Sequence, residues 1–332
     1  MRSAPRRKTG GAIVMLDDIA LVKELHALTP HPDSPDVLAD RVRYDAAAAA
    51  FAGYTHSSIV SATLVGVSCE LHSPVQDPPQ GTIIYLHGGG YVLGSSRSHR
   101  HVASEICRLT RCLVVVPDYS RAPEHQFPIA ADEVVSVLGE ASCRWPDLPL
   151  VLMGDSAGAG LAIAAAIRAR CEPNLQACAI VAISPWVDLT CSGPRYAAGA
   201  SHDRSLNPQR LKAFAGFYCG NTHPTHPLIS PLFSSLHQLP PMLIQVGRDE
   251  ILYDEALAFA HKLEAHDGQV SLEVWDDVVH AWHWYWPVLA AARNALERVA
   301  LFLSRRLGEQ AATHAIPSLT DPDHRPFPRV EP

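Results

Sequence analysis

From residue 82 to residue 307, short apolar runs alternate with longer stretches whose apolar residues recur every three or four positions. Thr82–Leu86, Cys112–Val116, Leu150–Met153, Cys178–Ile183, Met242–Val246 and Val270–Trp275 are the short runs. Runs of this length, with little polar alternation, suit strands covered on both faces. Residues 97–109, 130–141, 156–170, 254–266 and 282–307 carry helical spacing. The pattern predicts an α/β fold, a mostly parallel sheet with helices on both sides.

The flanks and one internal stretch depart from that rhythm. Leu21, Leu25 and Leu28 fall at i, i+4 and i+7 and predict a helix ending before Pro30. Ser34 is placed to cap a second helix, with Leu38, Val42, Ala46 and Ala49 on one face. Ile59–Leu71 turns β-like, and Pro74–Gly81 reads as a turn. Residues 184–240 hold proline, glycine, histidine and aromatics, with one helical piece around Pro208–Tyr218. They read as an insertion over the top of the sheet. Residues 1–14 and 309–332 are expected to be disordered tails, which leaves 15–308 as one domain. No internal repeat is visible.

Composition narrows the function classes. A chain of 332 residues can bury a full core. Its formal charge of −7 argues against nucleic acid, whose phosphates want a basic surface. Arg2, Arg6, Arg7 and Lys8 are followed by only a short apolar stretch, Ala12–Leu16, before Asp17 and Asp18. That is too little for an export signal, and Met15 is an alternative start. No run reaches the roughly 18 apolar residues of a membrane span. The eight cysteines form no C-x-x-C pair and are expected as free thiols in the cytoplasm. The 18 histidines are scattered without ligand spacing, so no metal and no cofactor is expected. His99 and His101, at a helix start, are expected to face solvent.

Two strings carry the chemistry. Gly154-Asp155-Ser156-Ala157-Gly158 follows an apolar run and opens a helix, the pattern of a serine on a tight strand-to-helix elbow. His87-Gly88-Gly89-Gly90 follows another run and can aim bare backbone N–H groups at a ligand. A serine hydroxyl needs a base, an orienting acid and donors for the oxyanion. Ser156 is the candidate nucleophile, with Ala157, Gly88, Gly89 and Gly90 the candidate oxyanion donors. In the order Ser, Asp or Glu, His, the acid should follow the next-to-last strand and the base the last. Asp249 and His280 stand there. Glu250 competes with Asp249, with its side chain expected to point the opposite way. His283 competes with His280 from inside a helix-like segment. His87 is read as a structural residue of the loop, and Asp155 as a brace for the elbow.

These pieces resemble the hormone-sensitive-lipase-like branch of the α/β-hydrolases. The matching motifs are His87-Gly88-Gly89-Gly90-Tyr91, Asp118 through Pro128, Gly154 through Gly158, Ser184-Pro185-Trp186-Val187-Asp188, Gly247 through Leu252, and His280-Ala281-Trp282. They span roughly residues 55–305 in the family's order. Ser120 and Arg121 stand where the family usually has arginine and leucine, beside the site rather than in its chemistry. The resemblance implies an α/β-hydrolase fold, a cap built from residues 15–54 and 185–240, and a homodimer paired through the last strand. It also implies a serine carboxylesterase acting on short- to medium-chain esters through an acyl-enzyme.

Tyr91, Phe214, Phe217, Tyr218, Trp282 and Asp155 are the candidate pocket residues. Glu124 with Arg121 is read as polar support. Two other functions use the same residues: deacetylation of an amine or opening of a lactone, and ligand binding without catalysis. Plant gibberellin receptors of this fold lack the catalytic histidine, whereas His280 is present here.

Overall fold

The computed structural model describes residue 22 and residues 36–172, 175–197, 203 and 205–314, with side chains through residue 309. The expected helix at 21–28, the Ser34 cap and the tails outside 36–314 fall beyond those residues, Val22 excepted.

Eight strands form one sheet in the order β1-β2-β4-β3-β5-β6-β7-β8. The hairpin β1 (Ser58–Leu64) and β2 (Val67–Ser73) is antiparallel and pairs antiparallel with β4 (Leu113–Pro117). The others run parallel: β3 (Thr82–Leu86), β5 (Leu150–Asp155), β6 (Ala179–Ile183), β7 (Met242–Gly247) and β8 (Val270–Trp275). Adjacent residues of the central strands enter different cores. Ile84, Leu86, Leu152 and Ile244 pack toward α3 (Ile129–Arg144), α4 (Ala157–Ala169) and α6 (Tyr253–Ala265). Ile83, Tyr85, Val151 and Leu243 pack toward α2 (Ser96–Thr110) and α7 (Ala290–His314). Two cores, one on each face, are why these strands read as unbroken apolar runs.

The sheet order places β4 and β5 on opposite sides of β3. Chain connections therefore diverge at the carboxyl ends of β3 and β5, where open α/β sheets hold their ligands. The glycine loop leaves β3 there, and Ser156 leaves β5. Two helices stand over this crevice: α1 (Val37–Ala48) and α5 (Pro208–Cys219), the latter in the insertion. Arg41 fastens α1 to the body, donating to the carbonyls of Val92 and Ala122 at 2.8 Å each and pairing with Glu124.

Asp36 caps α1, accepting from Ala39 N–H at 2.9 Å. Three expectations change. Leu38 and Val42 face outward, at 64% and 70% exposure, while Asp40 and Ala48 turn in. The single helix expected over 282–307 is a short 3₁₀ turn, Trp282–Tyr285, followed by α7. Pro287 explains the break, because it has no N–H to bond the carbonyl four residues back and its ring crowds that carbonyl. Finally, α7 continues to His314, past the expected boundary at 308.

Candidate active site

The elbow is built by backbone pressing on backbone. Ser156 sits at φ 54°, ψ −121°, between β5 and α4. A non-glycine residue there costs about 1–3 kcal/mol and persists only where its surroundings over-determine it. They do: Ser156 N–H donates to Ile183 O at 2.8 Å, and its carbonyl accepts from Trp186 N–H at 3.1 Å. A side chain at Gly154 would lie 2.6 Å from the Gly158 carbonyl carbon, and one at Gly158 would run into the carbonyls of Leu86 and His87. Both glycines are thus demanded by the close approach of the elbow to the end of β3.

Asp155 holds the glycine loop against the elbow. One carboxylate oxygen accepts from Tyr85 OH at 2.8 Å and from Gly88 N–H at 3.0 Å. The other lies 3.4 Å from His99 Nε2. Gly88 is therefore committed to Asp155 and drops out of the oxyanion donor set. Gly89 and Gly90 adopt φ of +119° and +65° and line the cavity beside Ser156. Among the described residues their N–H groups have no backbone acceptor. Ala157 opens α4, in the first turn, where amides lack an intrahelical acceptor. His87 is structural: its ring stacks 4.2 Å from that of Tyr119, and its Nδ1 lies 2.9 Å from Gly88 O. Burial pushes its pKa down to about 3, so it stays neutral.

On the far side of Ser156 the geometry reverses one expectation. Glu250, not Asp249, meets the histidine: its Oε2 lies 2.7 Å from His280 Nδ1. Its Oε1 accepts from Gly247 N–H at 2.6 Å and from Ser184 Oγ at 2.7 Å. Asp249 is exposed. The two side chains do point apart, as expected, but a turn sets their directions. Glu250 N–H closes back onto Gly247 O at 3.2 Å, which swings residue 250 inward and leaves 249 at the tip. A carboxylate can only accept, so His280 Nδ1 carries the proton and Nε2 keeps the lone pair. Burial opposes the charged ring, yet the Glu250 carboxylate outweighs it and holds the His280 pKa above its ordinary value. His283 is elsewhere: its Nε2 bonds Gln245 Oε1 at 2.6 Å, and burial pushes its pKa to about 3.

Ser156 and His280 open into one cavity of about 190 Å³. Phe214 and Asp155 are the pocket candidates found on its wall. Tyr91, Phe217, Tyr218 and Trp282 lie behind it: Tyr91 stacks on Tyr218 at 3.8 Å, and Trp282 packs on Trp275. Instead the wall includes Tyr44, Leu211, Trp284 and Tyr285. An ionic cluster on this wall bridges the two cap helices, with Arg210 and Arg43 both on the buried Asp40, at 3.1 and 2.8 Å. His99 and His101 are buried, contrary to expectation. His99 lines the cavity, and His101 Nε2 donates to Trp284 O at 2.7 Å. Glu124 pairs with Arg41 rather than Arg121, and Arg121 reaches Gly94 O. Among the described residues no cluster of side chains suits a metal ion, and no helix is long and apolar enough to cross a membrane.

Residues 83–284 match the family model for the alpha/beta hydrolase fold. A crystal structure of an esterase from the bacterial hormone-sensitive lipase family superposes with a TM-score of 0.83 at 32% identity, covering 88% of this chain and 98% of that one. The chain belongs to the hormone-sensitive-lipase family of α/β-hydrolases. It is a carboxylic ester hydrolase of that family. Among relatives it is 38% identical to an acetyl-hydrolase of Streptomyces hygroscopicus, over 88% of this chain and 98% of that protein. It is 32% identical to an esterase of Acinetobacter venetianus, over 66% of this chain and 73% of the relative.

Proposed function

We propose that this hydrolase cleaves small acyl esters, acetyl esters among them, through a Ser156–His280–Glu250 triad and an acyl-enzyme. The observation that carries the reading is the 2.7 Å contact of His280 Nδ1 with Glu250, in a ring whose neighbour across the cavity is a serine on a strained elbow.

In the first step His280 Nε2 takes the Ser156 proton as Oγ attacks the ester carbonyl. The carbonyl oxygen becomes an oxyanion and accepts hydrogen bonds from the N–H groups of Gly89, Gly90 and Ala157. The N-terminus of α4 adds a favourable dipole at that point. Glu250 stabilises the imidazolium without taking its proton. The imidazolium then protonates the leaving alcohol, and the oxyanion collapses to the acyl-enzyme. Water attacks the acyl carbon with His280 again as base, the Ser156 oxygen leaves, and the acid is released.

The enclosing cap wall supports a preference for short to medium acyl groups. Phe214 covers Gly90 so closely that any side chain at 90 would meet its ring. The Asp40 bridge closes the space between the cap helices. The acetyl-hydrolase relative points the same way.

The test is hydrolysis of p-nitrophenyl acetate and butyrate by Ser156→Ala, together with labelling by a fluorophosphonate. The expected result is loss of kcat by about four orders of magnitude or more and no label on the variant. Parental turnover by Ser156→Ala would refute the mechanism.

A further inference from the structure

One short segment of the insertion touches both loops of the acid–base pair. Asp203 Oδ1 accepts from Ser205 N–H at 2.7 Å, Ser205 Oγ at 2.6 Å and Leu206 N–H at 3.1 Å. Asp203 Oδ2 accepts from Ile251 N–H at 3.0 Å, the residue after Glu250. Ser205 Oγ in turn accepts the His280 backbone N–H at 3.1 Å. Ser205 and Leu206 also line the cavity, and Asn207 next to them caps α5. From the sheet side Ser184 makes the complementary pair of bonds, donating to Glu250 and accepting from Ala281 N–H at 3.2 Å. The loops of Glu250 and His280 are thus gripped by one hydroxyl from the sheet and by one hydroxyl–carboxylate pair from the cap.

We propose that Asp203 and Ser205 are positioning residues for the His280–Glu250 pair, so that seating the cap over the substrate and aligning the base are a single event. The inference rests on the triad reading above. Among the described residues of the insertion, this link is what fixes the His280 backbone relative to Ile251, and the same insertion forms part of the cavity wall. Small misplacements of a base cost rate steeply, about 100-fold for roughly 1 Å. Asp203 also acts through charge. The carboxylates of Glu250, Asp203 and Asp155 each favour the protonated His280 ring, while burial opposes it.

Ser205→Ala, Ser205→Thr and Asp203→Asn test this, with kcat, KM and the pH profile of kcat/KM measured on p-nitrophenyl butyrate. Ser205→Ala is expected to lower kcat by about 10- to 100-fold with little change in KM, and Ser205→Thr to recover most of it. Asp203→Asn is expected to lower kcat and to move the acid-limb midpoint to lower pH, because a charge favouring imidazolium is gone. Ser205→Ala keeps that charge, so its midpoint stays in place. Wild-type kcat in Ser205→Ala overturns the proposal. So does an unmoved midpoint in folded Asp203→Asn, since a merely structural role predicts that. Should Asp203→Asn fail to fold, the Ser205 pair alone decides. Failure of the triad reading registers separately, as activity or labelling that survives Ser156→Ala.

Discussion

On the nucleophile side of the cavity, Gly154 and Gly158 bring the elbow against the carbonyls of β3 so closely that no Cβ fits. On the acid–base side the loops after β7 and β8 share a backbone bond at their base, Arg248 N–H to Trp275 O at 2.8 Å. Beyond it, side-chain bonds from Glu250, Ser184, Ser205 and Asp203 hold the two loops. The first half is fixed by close packing of backbone and the second by a polar network drawn partly from the cap. Packing of that kind should break all at once. A network should lose rate by steps and respond to pH.

The largest expected effect is therefore on the nucleophile side. Gly158→Ala forces a methyl group into the carbonyls of Leu86 and His87, and should destabilise the fold by about 3 kcal/mol or more while abolishing activity. Thermal melting and soluble yield check it. A variant that melts like the parent would mean that the elbow is less tightly held than the comparison requires.

A smaller effect is expected at Asp155, the side chain that ties the glycine loop to the elbow. Tyr85→Phe removes a buried hydrogen bond to a carboxylate and should cost about 1.5–3 kcal/mol in denaturant unfolding. It should leave the pH profile unmoved, because Tyr85 does not face His280. A shifted profile would show the two halves coupled through Asp155.

The smallest effect is read in pH. With neutral His280 as the proposed base, kcat/KM should rise with pH through the free-enzyme pKa of that ring. Glu250 raises that pKa, so the midpoint should lie above the ordinary histidine value of about 6.5. A midpoint below that value would contradict an ionised Glu250 beside the ring.

The same contrast governs what could be read from the sequence. Close packing leaves compositional traces: the glycines at 154 and 158, and the apolar runs that became β3, β5, β6 and β7 at nearly the expected bounds. Side-chain networks across loops leave few. Asp249 and Glu250 both follow β7, and only the turn closed by Glu250 N–H onto Gly247 O decides which enters. Asp203 and Ser205 had a weak local signal, a polar turn ahead of the Asn207 cap, with nothing to say that its partners were Ile251 and His280. The cap misled in another way. Leu38 and Val42 share the helical spacing of a buried face, yet α1 buries Asp40 instead, because the cap helix turns its charged side to Arg210 across the cavity. His99 and His101 sit at a helix start, where exposure is the ordinary expectation. The descent of α2 into the core, against Asp155 and Trp284, overrides it.

The central claim is that Glu250, and not its neighbour, orients the base. Measuring kcat/KM for Glu250→Gln and Asp249→Asn on the same p-nitrophenyl ester tests it most directly. The account predicts a loss of about 10⁴-fold for Glu250→Gln, the scale seen when a triad acid becomes an amide. For exposed Asp249→Asn it predicts a change of no more than about twofold. A large loss confined to Asp249→Asn, with Glu250→Gln near wild type, would contradict it.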